Sequence, residues 1–180
     1  MLTIHFDKFA AIVLSILLVI SSLSCKEKRK EIHIDENELR EQLMDANKNL
    51  LRSEFHLIDS FIQAHNYQMK ETGSGLRYQI VKNVEGRQAI AGDEVLIRYK
   101  AFLLNGELCQ QSPNAGPEEV KLGEARLNRG LEEALLLMKE GEVARLVIPS
   151  HLGYGIRGDG KLIPPASILY YEINLMAIKK

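Results

Sequence analysis

The sequence predicts an α+β fold: an antiparallel, curved sheet wrapped around one short helix, with a long amphipathic helix ahead of it. Two observations carry this. Near the N-terminus apolar residues recur at helical spacing, and past a glycine-rich junction the pattern becomes that of short strands, broken once by a capped helix. At 180 residues the chain has room for one domain of about a hundred residues and an appendage, not for two enzymatic domains. Lys+Arg 23 and Asp+Glu 24 nearly cancel, so the charge balance gives no sign of a nucleic-acid partner.

Phe9 to Leu23 is an uncharged, largely apolar run. It is shorter than the roughly 20 residues of a membrane helix and suits the core of a signal peptide. Cys25 follows at once, and Ser21 to Cys25 resembles the lipobox of bacterial lipoproteins, with Ser22 where a leucine is usual. This reading makes 1–24 a signal peptide and Cys25 a lipid-modified N-terminus, with 25–35 as a charged tether. The product is an exported, membrane-anchored lipoprotein facing the periplasm or cell surface. An uncleaved signal anchor is the alternative, because Lys26, Lys28, Arg29 and Lys30 follow the apolar run while only Lys8 precedes it.

From Glu36 to Ala64, Leu39, Leu43, Leu50, Leu57 and Phe61 form one helical stripe, and Leu51, Phe55, Ile58 and Ile62 lie beside it. Such a face is broader than a two-helix seam and must bury against the following domain or against a second copy. Thr72-Gly73-Ser74-Gly75 is a loop signal that divides a helix and linker over 36–72 from a domain over 73–180. Strands are expected over Leu76–Val81, Val95–Leu103, Glu118–Leu122, Glu142–Ile148 and Leu169–Ile178. One helix is expected over Gly130–Glu140, capped by Asn128 and ended by Gly141.

Gly153, Gly155 and Gly158 spell G-x-G-x-x-G with Glu172 downstream, but Asp159, Gly160, Pro164 and Pro165 forbid the helix that a dinucleotide turn must open into. No cofactor is expected. The five histidines lie apart with no ligand spacing, so no metal is expected, and His151 reads as a polar surface residue. Cys109 reads as a buried thiol, without a disulfide partner if Cys25 carries lipid. Tyr154 differs from these: a tyrosine between two glycines, in a loop that ends Ile163-Pro164-Pro165, has little helical or strand role and points to binding.

Set in order, GDEVLIRY (Gly92–Tyr99), the turn Leu104–Gly106, Leu122–Ser150, the loop Val147–Pro165 and the closing ILYYEINLMAIKK resemble the FKBP-type peptidyl-prolyl isomerases over about residues 75 to 180. The resemblance implies a pocket lined by Tyr99, Val120, Leu127, Asn128, Leu131, Tyr154, Ile163 and Tyr171. In it the Tyr154 hydroxyl would bond the substrate carbonyl and the Asn128 backbone N–H the next one along. Cys109-Gln110 stands where active members carry Phe-Asp, Glu118 replaces an aromatic, and Leu131 replaces the tryptophan of the pocket floor. Loss of the aspartate is expected to remove a partner that orients Tyr99, and a less aromatic wall to lower activity.

The function implied is X-Pro isomerisation during folding of exported proteins. The alternative is a weakly active or inactive FKBP-like chaperone, a binding module for unfolded or proline-containing segments. Partners are then such polypeptides, the membrane through the lipid, and a second copy through the helix, as in several larger members of the family.

Overall fold

The structure, a computed structural model, describes residues 35–179. The apolar run Phe9–Leu23, Cys25 and the charged segment up to Ile34 lie outside them. The chain divides into two units, Met1–Gln42 and Leu43–Lys180. In the first, Asp35 caps the start of helix α1 (Glu36–Ala64) by accepting the Asn37 N–H at 2.9 Å.

In the second unit α1 runs on to Ala64 and ends in a left-handed turn. Asn66 takes φ 54°, the Tyr67 N–H returns to the Ile62 carbonyl and the Asn66 N–H to that of Gln63. Strands β1 (Lys70–Glu71), β2 (Arg77–Lys82), β3 (Glu94–Leu103), β4 (Leu108–Gln111), β5 (Glu118–Lys121), β6 (Val143–Ile148) and β7 (Leu169–Lys179) form one antiparallel sheet, with helix α2 (Arg129–Leu137) between β5 and β6. The order is β1-β2-β6-β7-β3-β4, and β5 also pairs with β3. β4 and β5 lie end to end along one edge of β3: Lys100 faces Gln111 on β4, and Ile97 faces Glu118 on β5.

The expected strands are present within a residue or two, and two short ones, β1 and β4, were not foreseen. β4 has four residues and β1 two, too few to show alternation. α2 is capped by Asn128, whose Oδ1 accepts the Leu131 N–H at 2.9 Å, but it ends at Leu137, not Glu140. Met138 is already extended and buried, and Gly141 supplies φ 85° to the following turn.

Alternation along the long strands builds two apolar layers. Val95, Ile97 and Ala101 of β3, Ala144, Leu146 and Ile148 of β6, and Leu169, Tyr171, Ile173 and Leu175 of β7 pack with Leu131, Ala134 and Leu135 of α2. Gly130 lets α2 approach β6, because a Cβ there would sit 2.5 Å from Ile148 Cγ2. On the other face Val147, Ile168 and Tyr170 are covered by Phe55, Ile58, Phe61 and Ile62 of α1. The second stripe of α1, joined by Phe61 of the first, therefore buries against its own domain, whereas Leu43 and Leu57 of the first stay more than half exposed.

Candidate functional site

The site forms where the β6–β7 connection passes the β3–β4 edge. Two short 3₁₀ turns, Ser150–Leu152 and Gly155–Arg157, carry Tyr154 between them. Leu152 is buried in the core and anchors the first turn. After the second, Gly158 takes φ 67°, and any Cβ there would collide with the Ile163 carbonyl oxygen. Asp159 then folds the loop on itself: its Oδ1 accepts the N–H groups of Lys161 and Ile163, both at 2.8 Å. Burial pushes this carboxyl up, but the N–H groups of Ile163 and Lys161 and the Gln110 amide outweigh it and hold it below the usual carboxylate range.

Of the residues expected at the pocket, Tyr99, Cys109 and Gln110 line an open cleft here, and the others do not line it. Cys109, Val120, Leu131, Ile163 and Tyr171 are buried in the inner core, and Tyr99, Leu127 and Tyr154 are half-buried against it. Gln110 and Asn128 attach by hydrogen bonds. The Tyr154 hydroxyl donates to Gln110 Oε1 at 2.8 Å, and Gln110 Nε2 reaches Asp159 Oδ2 at 3.4 Å. Asn128 Nδ2 donates to the Tyr171 hydroxyl at 2.9 Å, so this side chain caps α2 and props a pocket ring together. The Tyr99 and Tyr171 rings lie 5.8 Å apart. Tyr99, Cys109, Gln110, Gln111, Asp159, Lys161 and Leu162 line an open cleft of about 450 Å³.

Burial favours the protonated forms of Tyr99, Cys109 and Tyr171. Burial raises the Tyr171 hydroxyl far above the usual phenol range, helped by Tyr154. Tyr99 is raised for the same reason and then by the charge and hydrogen bonding of Glu118. Burial also raises the Cys109 thiol, which donates to the Ala101 carbonyl at 3.2 Å, so it is no nucleophile at neutral pH. Tyr99 thus has an acidic neighbour on β5, although Gln110 stands on β4. Asp159 was not foreseen as part of the site, although Asp-Gly in a loop is a turn signal that could have marked it. His151 is exposed and bonds the Ser74 carbonyl through Nε2 at 3.0 Å.

An open cleft edged by Tyr99, Gln110 and Asp159 suits binding. Residues 85–176 match the model of the FKBP-type peptidyl-prolyl cis-trans isomerases. The chain belongs to this family. It is similar to an FK506-binding protein of Neisseria meningitidis serogroup A, 36% identical over 94 residues that make up 52% of this chain and 86% of that protein. It is also similar to the probable FKBP-type isomerase FkpA of Neisseria meningitidis serogroup B, 36% identical over 111 residues, 61% of this chain and 40% of that one. A solved isomerase of Pseudomonas syringae pv. tomato superposes with a TM-score of 0.61 at 30% identity, covering 74% of this chain and 96% of the other. The protein is thus an FKBP-type peptidyl-prolyl cis-trans isomerase, and proline-containing polypeptides are its substrates.

Proposed function

We propose that this isomerase takes an X-Pro segment into the cleft beside Tyr99, Cys109 and Gln110, with the prolyl ring on the apolar base formed by Val120, Leu127, Leu131, Ile163 and Tyr171. Rotation about an X-Pro bond is slow because it breaks amide conjugation, a barrier of roughly 18–20 kcal/mol. The twisted imide has a smaller dipole than the planar one and enters an apolar site at lower cost. A gain of about 10⁴, or roughly 5.5 kcal/mol, brings tens of seconds to milliseconds. The Tyr154 hydroxyl exchanges its bond to Gln110 for one to the substrate carbonyl. The Asn128 N–H, which has no hydrogen-bond partner among the described residues, takes the next carbonyl along.

The observation that carries this reading is the direction of the Tyr154 hydroxyl, held at 2.8 Å on a cleft-lining side chain. Two-dimensional exchange NMR on an X-Pro peptide tests it. The full chain accelerates exchange, and Tyr154→Phe lowers kcat/KM by about 2- to 13-fold, the worth of one neutral hydrogen bond. Unchanged kcat/KM in Tyr154→Phe would refute the hydroxyl's role.

Export as a lipoprotein is a further part of the proposal, resting on the apolar run Phe9–Leu23 that abuts Cys25. Its clients are then proteins that fold beyond the cytoplasmic membrane. Mass spectrometry of the mature N-terminus decides, since an intact Met1 is incompatible with it. Among the described residues no helix is long and apolar enough to cross a membrane. A holding role for unfolded segments is favoured by the exposed Leu43, Met44 and Leu57 of α1. Replacing all three by serine would weaken suppression of aggregation while leaving isomerisation intact, and equal suppression would reject this role.

A further inference from the structure

Glu54, in the middle of α1, is 3% exposed. Its Oε2 accepts the backbone N–H of Ser150 at 3.0 Å, and its Oε1 accepts the Ser150 hydroxyl. Ser150 is equally buried and opens the 3₁₀ turn that leads, four residues on, to Tyr154. A buried carboxylate is costly to keep unless its bonds serve something. No cation offsets this one among the described residues: Arg77, whose guanidinium lies over the neighbouring Phe55 ring, pairs with Glu71 and Asp59. Apolar packing alone would dock α1, as Ile58 and Phe55 already do on Val147 and Tyr170. The carboxylate adds direction, fixing one backbone N–H and one hydroxyl at the root of the tyrosine loop.

The linker after α1 makes matching attachments. The Ser74 carbonyl accepts His151 Nε2 in the same turn, and the Ser74 hydroxyl donates to Glu133 of α2 at 2.7 Å. Asn128 caps the start of α2. The N-terminal helix and its linker therefore bond to both elements that present the two groups assigned to the substrate carbonyls.

We propose that Glu54 is a positioning residue for prolyl isomerisation: through Ser150 it fixes the turn that sets the Tyr154 hydroxyl over the cleft. The proposal rests on the Tyr154 reading above. Glu54 touches no substrate, so its effect falls on kcat more than on KM, and it disappears when Ser150 can no longer respond.

The test uses the full chain and protease-free exchange NMR, at a temperature where each variant is shown folded by its amide spectrum. Glu54→Ala and Ser150→Ala each lower kcat/KM on the order of tenfold, the cost of a misplaced group. The double variant is no worse than Glu54→Ala alone. Glu54→Gln stays within about threefold, because its amide oxygen still accepts the Ser150 N–H. Ile58→Ala, which loosens the same helix from the same sheet, loses stability but keeps kcat/KM. The proposal is overturned if Glu54→Ala retains kcat/KM within twofold, or if Ile58→Ala lowers it as much. Failure of the site reading is separate: a fully active Tyr154→Phe overturns that reading, whereas full activity of Glu54→Ala beside an impaired Tyr154→Phe overturns only the positioning role.

Discussion

Val120, Leu131, Ile163 and Tyr171 come from β5, α2, the tyrosine loop and β7, and are held as ordinary core residues by the inner face of the sheet. Around them Tyr154, Gln110 and Asp159 hold one another by hydrogen bonds and stand in or beside solvent. The first group owes its place to burial of apolar area, which is non-directional and tolerant of exchange among shapes of equal volume. The second owes its place to a few directed bonds, each worth only about 0.5–1.5 kcal/mol. Changes in the buried group should therefore register in stability as well as in activity, and changes in the polar group in activity alone.

The largest effect expected is from Leu131→Ala. Leu131 is 2% exposed and its truncation leaves a cavity in the inner core, so unfolding free energy should fall by about 2–5 kcal/mol in urea titration. A loss below about 1 kcal/mol would mean that the base of the site relaxes, and the division into two groups would fail.

Gly158→Ala sits on the boundary between them. Its left-handed φ and the clash of a Cβ with the Ile163 carbonyl should cost about 1–3 kcal/mol of local strain. Because the strain falls on the turn that Asp159 closes, kcat/KM should drop further than thermal stability does. Equal loss in both would show that the loop is part of the core.

Asp159 sharpens the contrast through pH. Its folded carboxyl lies below the ordinary carboxylate value, so its contribution is complete above the unfolded pKa of about 3.9 and is lost as pH falls through the lower folded value. Loop order, followed by the Ile163 amide signal, should thus persist through mildly acidic conditions and fail only in strong acid. Asp159→Asn keeps the Oδ1 acceptor and should flatten that dependence. An unchanged acid transition in Asp159→Asn would place its cause elsewhere.

The two groups also differ in how far the sequence reveals them. Period-two alternation in GDEVLIRYKAF and ILYYEINLMAI placed β3 and β7, and with them Tyr99 and Tyr171, to within a residue or two. The Asn128 cap was visible as a residue type at a helix start. Glu54 was not, because a glutamate on an amphipathic helix looks like every solvated one, and its partner Ser150 is 96 positions away. The Glu118 influence on Tyr99 was hidden for a related reason: it depends on β4 and β5 sharing one edge of β3, a pairing that no local pattern encodes.

The smallest effect expected, that of Leu43→Ala, tests the same contrast on α1. Ile58 is fully buried on the sheet, whereas Leu43 is 58% exposed on the same helix. If burial alone decides, Ile58→Ala costs about 2–5 kcal/mol and Leu43→Ala stays within about 0.5 kcal/mol. Measuring both at two protein concentrations adds a second reading. A partner that binds only the folded state makes apparent stability rise with concentration. A Leu43→Ala loss that grows with concentration would therefore show that a second copy covers this stripe. A loss that is small and independent of concentration would show that no second copy covers it.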